Sequence, residues 1–194
     1  MNTPSHAIIN LAIVTNLPLT QANLAVVVGA ILPDLPIFIF YFWAKFVLKQ
    51  PEAKIWTESY WQPQMQTWVA LLHSIPLASF AAIISHYFGW PILELIFISM
   101  VLHSLGDLPV HHDDAHRHFF PLHDYRFISP ISYWDPKRYG QVVALIEIIL
   151  VGLATVNVFP SVESGFGKGL MLAVNGFYVA AYLYFNRRFL ATGS

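Results

Sequence analysis

Seven apolar stretches of helical length, separated by short links, leave this chain few folds other than a bundle of helices. They cover residues 3–17, 21–32, 37–48, 65–88, 91–108, 141–159 and 169–185. The longer ones approach or exceed the roughly 18–20 apolar residues that cross a bilayer core. Helices apolar around their whole circumference belong to buried cores or membranes, not to the surface of a soluble domain. Charge is correspondingly scarce, at 11% against 56% hydrophobic residues, where an average soluble domain carries roughly 25% charged. The expected fold is therefore all-α: a multi-spanning membrane helical bundle of about four to six spans. The first helices are too short to span with ease, since twelve residues cover only about 18 Å of a roughly 30 Å core, and a short or re-entrant N-terminal hairpin is expected. The length of 194 residues fits one domain,.

Punctuation along the chain supports these boundaries. Thr3-Pro4 reads as a helix start, with Thr3 as N-cap. Pro33-Asp34-Leu35-Pro36 should break or kink the second helix. Residues 49–64 are polar with interspersed tryptophan and tyrosine, which suits a connection at a membrane interface. Gly89-Trp90 alone separates two long apolar runs, predicting an antiparallel hairpin. Residues 109–140 are too polar and irregular to span and read as a site-forming loop, with Asp135 capping the helix that follows. The net charge of −1 gives no global field for nucleic acid, and the absence of cysteine leaves only nitrogen and oxygen ligands for any metal,.

Chemistry concentrates in one place. Residues 101–125, VLHSLGDLPVHHDDAHRHFFPLHDY, hold six of the nine histidines. His103 and Asp107 are spaced i, i+4, which puts both side chains on one helix face where two ligands can grip one ion. Counting outward from the turn at 89–90 places His73 level with a position near 106, so His73, His103 and Asp107 share one depth. Counting from a turn near Pro18 brings His6 and Asp34 to one end as well. Ionisable groups inside apolar spans cost about 2.5–3.5 kcal/mol each at the centre and need partners; a shared cation is one. In the loop, His112 and His116 are i, i+4, as are Asp114 and His118, so a short helical turn would present two ligand pairs. With His111 and Asp113 they would complete a second metal site or supply a base; the alternative is a solvated His-rich tract. Glu94 and Glu147 read as interior hydrogen-bonding groups, His86 as interfacial. Arg117, Arg126, Lys137 and Arg138 read either as phosphate-orienting groups or as juxtamembrane charge.

The order His6, GAILPD ending at Asp34, His73-Ser74 and His103-x-x-x-Asp107 resembles a family of small bacterial integral-membrane metal-dependent hydrolases, whose metal motifs look like those of zinc-dependent phospholipase C. The resemblance covers roughly the first 110 residues. It implies that Asp34, His73, His103 and Asp107 ligate one metal, with His6 on a neighbouring ion. The family usually has a second histidine approaching its His-Ser pair; TWVALLHSIP has none, and the ion count stays at one to three.

The expected function is a membrane-bound hydrolase in which one to three divalent ions, zinc first and manganese or iron next, act on a lipid or lipid-linked phosphoester or ester. Its metal ligands are drawn from His6, Asp34, His73, His103, Asp107, His111, His112 and His116, and Asp113 or Asp114 serves as proton-transferring base. Membrane lipid is the expected partner. The distribution of lysine and arginine places the loop on the cytoplasmic face of a bacterial inner membrane. The alternative is a metal-binding membrane transporter or sensor without hydrolytic activity, since intramembrane ionisable residues also mark ion pathways.

Overall fold

The computed structural model describes residues 1–14 and 20–191, with side chains described over 1–14 and 23–187. The turn near Pro18 lies outside the described residues. Among them all regular secondary structure is helical, without strands. Helix α1 (Thr3–Val14) is followed by α2 (Thr20–Ile31), a 3₁₀ turn at Leu32–Asp34, and α3 (Leu35–Phe42), which runs into a π turn at Trp43–Val47. A one-turn α4 (Glu52–Lys54) and a second π turn fill the interfacial stretch. Then come α5 (Pro63–Leu72), α6 (Ile75–Tyr87), α7 (Pro91–Asp107), α8 (Gly140–Val158) and α9 (Gly165–Ala191).

Helix α7 is the central element, packed on α2 to one side and α6 to the other; α1 lies across α2 and α8, and α9 covers α8. Ile8, Leu11, Val26, Leu95, Val151 and Val158 form the main apolar core. A polar clasp fixes the register of three helices. Asn10 Nδ2 donates to Ser99 O and Oγ, both at 2.9 Å, and Ser99 Oγ donates to Val26 O at 2.6 Å. The α2–α7 approach is close enough that a Cβ at Gly29 would lie 2.2 Å from Ile96 O.

The proline signals behave differently at two places. Pro33 and Pro36 bend α2 against α3 by 56°, as the sequence leads one to expect. The 65–88 run, expected as one helix, is instead broken at His73-Ser74 with a 42° bend. Pro76 explains it, because its ring has no N–H for the Leu72 carbonyl and clashes with it. Ser74 caps the new start, its Oγ accepting from Leu77 N at 3.1 Å. The backbone groups freed by the break are taken up by the 109–139 loop: Ile75 N donates to His118 O at 2.9 Å, and Ser74 Oγ bonds Phe120 O.

Thr3 also departs from expectation. Asn2 O accepts the first helical bonds of α1, while the Thr3 hydroxyl donates to Asp34 Oδ2 at 2.5 Å, a carboxylate being the stronger acceptor,. The α1 N-terminus is held instead by Glu147 on α8, buried, which accepts from Asn2 N (2.9 Å), Asn2 Nδ2 (3.0 Å) and Ser5 Oγ (2.5 Å). An anion at a helix N-terminus also complements the helix dipole. Glu147→Leu strands three donors and is expected to destabilise the fold by about 1–3 kcal/mol, whereas Glu147→Gln, which keeps an acceptor, costs less. Thermal unfolding of the two variants side by side checks the ordering.

Only α8 with its 3₁₀ extension, Gly140–Ser161, is long and apolar enough by itself to cross a membrane among the described residues. Counting each bent pair, 23–31 with 35–47 and 63–72 with 75–87, as one span raises the number to three, fewer than the sequence count. Helix α7 has 17 residues, and the 27 of α9 include Lys168, Asn175, Asn186, Arg187 and Arg188. Large apolar side chains nonetheless face outward along several helices, among them Phe42 on α3, Phe80 and Ile83 on α6, and Leu153 and Val156 on α8.

Candidate metal centre

The C-terminal turn of α7 delivers His103 and Asp107 one turn apart, both buried. Around them converge His6 from the first turns of α1, Asp34 from the α2–α3 break, His73 from the α5–α6 break and His116 from the loop. Three overlapping trios, His6/His103/Asp107, Asp34/His73/His103 and His73/Asp107/His116, each bring their ligand atoms within 4.8 Å of one another.

Four of these atoms are joined by four short edges. His73 Nε2 lies 3.5 Å from Asp34 Oδ1 and 3.8 Å from Asp107 Oδ2; His103 Nε2 lies 3.7 and 3.0 Å from the same two oxygens. Ligands at about 2.0–2.1 Å from a tetrahedral cation stand about 3.3 Å apart, within the range of those edges. The second ring nitrogens are already committed. His73 Nδ1–H donates to Val69 O at 3.0 Å and His103 Nδ1–H to Ala30 O at 2.7 Å. A carbonyl can only accept, so in the neutral ring the lone pair of each lies on Nε2. This is how metal-binding histidines are oriented. Both Nε2 atoms are buried and, among the described residues, without a hydrogen-bond partner. Unpaired buried nitrogens are costly, and a shared divalent cation satisfies both at once; the residues present fit one.

Asp107 joins two halves of the cluster. Its Oδ1 is 2.9 Å from His6 Nε2, 3.2 Å from His111 Nε2 and 2.7 Å from Met1 N. His6 stacks on His103 with ring centroids 3.8 Å apart. Gly106 makes that possible, because a Cβ there would meet His6 Cε1 at 3.1 Å. Ser104 Oγ donates to His73 O at 3.0 Å, tying α7 to the helix break. Neither Gly106 nor Ser104 stands out in the sequence, although both lie inside the His103–Asp107 turn.

The loop sorts its histidines by role. His111 is held between carboxylates, Nε2 on Asp107 and Nδ1 3.0 Å from Asp114 Oδ2. His116 enters the ligand cluster. His118 is buried against the α5–α6 break, Nδ1 3.3 Å from His73 O. His112 is not brought in: its Nδ1 bonds Ser129 O and its Nε2 lies 3.3 Å from Asp113, which is mostly exposed. The i, i+4 pairs of the tract do not form, because the segment is a series of turns whose backbone bonds go outward, Ser129 N to His111 O and Tyr133 N to Val110 O. Arg117 and Arg126 pin the loop to α5 through Gln66, at 3.0 and 2.8 Å. Asp135 caps a 3₁₀ turn, accepting from Lys137 N at 2.9 Å. His86 and Glu94 pair at 3.1 Å across the α6–α7 turn, away from the centre.

Burial and neighbours separate the protonation of the loop imidazoles. Burial, reinforced by His73, holds His118 down to about 4; the same causes keep His116 well below its ordinary value. Burial alone would lower His111, but Asp107 and Asp114 outweigh it and raise the ring to about 9. His116 and His118 therefore take up protons on unfolding below about pH 6.5, and stability falls as pH drops from there. His111 has the opposite sign: its contribution is full below about pH 6.5 and is lost as pH rises through about 9,. For these three groups, thermal stability of the chelator-treated protein should peak near pH 6.5 and fall on both sides. A monotonic profile from pH 4 to 10 would contradict these assignments.

Two members of the cluster, Asp34 and His116, line an open cleft of about 760 Å³. His111 and Asp114 line it as well, with the aromatic side chains of Tyr41, Trp56, Tyr60, Trp61, Tyr133 and Trp134. Fold and site together define an all-α protein with a buried His/Asp cluster that could hold a metal ion. Compared with known family models, curated proteins and solved structures, the chain matches none.

Proposed function

We propose that the protein is a membrane-embedded, metal-dependent hydrolase acting on the phosphoester or ester of a lipid-like substrate. One observation carries the reading: two buried imidazole nitrogens without a hydrogen-bond partner among the described residues lie 3.0–3.8 Å from two carboxylates, one of which, Asp34, lines a cleft of about 760 Å³. Bound there, a divalent ion, zinc by ligand type, would supply Lewis acidity toward a substrate oxygen and toward water. Asp34, His73, His103 and Asp107 hold it, with His6 and His116 available for a neighbouring ion.

Asp114 is the better placed of the two candidate bases. Its Oδ2 is positioned by His111, while its Oδ1 is buried and has no hydrogen-bond partner among the described residues. It can take a proton in the cleft, held in place by His111, which Asp107 steadies from behind,. Asp113 faces the cleft mouth, where it is solvated. The outward apolar side chains of α3, α6 and α8 would meet lipid,, and Lys137 and Arg138 at the loop end of α8 would put the cleft on the cytoplasmic side.

The test is hydrolysis of phospholipid and p-nitrophenyl phosphate esters by detergent-purified protein, with metal content measured in parallel. Chelation should abolish turnover and zinc should restore it. Asp114→Asn should retain metal and lose turnover by about 10²–10⁴-fold. The reading fails if the purified protein holds no stoichiometric metal, or if Asp114→Asn hydrolyses as the parent does.

A further inference from the structure

We infer that the apolar groove between α1, α2 and α9 holds the aliphatic tail of the amphiphile whose headgroup reaches the metal centre. The proposal rests on the hydrolase reading and goes further, to a single linear hydrocarbon chain as the feature that selects substrate. The groove encloses about 900 Å³. Ile8 and Leu11 on α1, Leu24 and Val27 on α2, and Leu170 and Val174 on α9 line it, with polar groups confined to a few positions such as Asn23, Glu163 and Ser164.

Its occupant follows from where it leads. The groove and the cleft beside the metal centre share Asn2, Thr3 and Phe38 as lining residues, so the two spaces adjoin at the start of α1. At that junction the Thr3 hydroxyl is bonded to Asp34 Oδ2, a carboxylate of the proposed ligand set. A molecule lying across Thr3 therefore has one end among imidazoles and carboxylates and the other among aliphatic side chains. A water-soluble phosphoester would leave the apolar arm unused, and a docked protein helix would have no need of continuity with the centre. An amphiphile with a small anionic head and an extended tail uses both. Each methylene laid in the groove strengthens binding by about fourfold relative to water, until the groove is full.

The experiment uses the full chain in nanodiscs, loaded with zinc, and n-alkyl phosphates from ethyl to dodecyl as competitors of p-nitrophenyl phosphate hydrolysis. A dodecyl phosphate carrying a terminal diazirine maps the tail by mass spectrometry. The expected result is inhibition that strengthens with chain length, and photolabel on Leu24, Val27, Leu170 or Val174 that disappears on chelation. Leu170→Trp and Leu24→Trp, on opposite walls, should each keep their metal while flattening the chain-length series. Labelling that persists undiminished after chelation marks ordinary lipid occupancy and overturns the proposal, as does an unchanged series in both tryptophan variants. Ethyl phosphate separates the two levels. If it inhibits but tails label elsewhere, only the groove assignment falls; if it does not inhibit at all, the hydrolase reading falls with it.

Discussion

Asp107→Asn is expected to reduce bound metal from stoichiometric to trace while leaving the helical content unchanged. Asp107 is the one carboxylate that serves both halves of the cluster, with Oδ1 at 2.9 Å from His6 and 3.2 Å from His111, and Oδ2 at 3.0 Å from His103. The amide keeps the shape but not the charge, and it presents N–H groups toward imidazole lone pairs that a cation would otherwise satisfy. Asp107→Ala goes further. It removes the shared acceptor of a buried cluster, a change that costs about 3–5 kcal/mol when partners are left uncompensated, and is expected to lower the unfolding temperature as well. Element analysis of the purified variants, read beside circular dichroism, distinguishes the effects. Wild-type metal content in Asp107→Asn would remove Asp107 from the ligand set.

Gly29→Ala is expected to damage fold and site together. The added Cβ would lie 2.2 Å from Ile96 O and 2.9 Å from Ile96 C, both backbone atoms that cannot swing aside. Helix α2 must move off α7, an overpacking effect of about 1–3 kcal/mol or more. The next residue is Ala30, whose carbonyl holds His103 Nδ1 at 2.7 Å. Displacing it loosens the ring orientation, and disturbing such a supporting bond typically costs about 10–100-fold in metal affinity. Gly176→Ala on α9, where an added Cβ meets nothing within 4 Å, is the control; it should be neutral or stabilising by up to about 1 kcal/mol. Paired unfolding curves and zinc titrations check both arms. An intact metal affinity in Gly29→Ala would show that the α2–α7 contact does not position His103.

The two variants mark the division between what sequence reading reached and what it could not. His103 and Asp107 were legible because a 3.6-residue period inside an apolar run leaves no doubt which residues share a face. Asp34 was legible because flanking prolines force a break wherever they fall. His73 was placed at the right depth by counting from the turn at 89–90, yet the break at Pro76 that turns its carbonyl toward Ser104 and His118 went unread, since the apolar pattern continues across it. The importance of Gly29 lay in helix α7, sixty-odd residues away, and a glycine in a helix carries no mark of what approaches it.

By itself the sequence determined that this chain is helical and apolar, and that ionisable side chains from distant segments gather at one end. Periodicity and proline chemistry act over a few residues and are written locally. Tertiary structure alone decided which imidazoles of HHDDAHRH turn inward. His111, His112, His116 and His118 have the same side chain on nearby positions, and what separates them is the set of long-range bonds around each, such as His118 O to Ile75 N and His111 O to Ser129 N. It also decided that Glu147 on α8 holds the start of α1 and that an apolar groove opens at Thr3. Both depend on helices meeting across more than a hundred residues of chain, where packing, not local pattern, sets the partner.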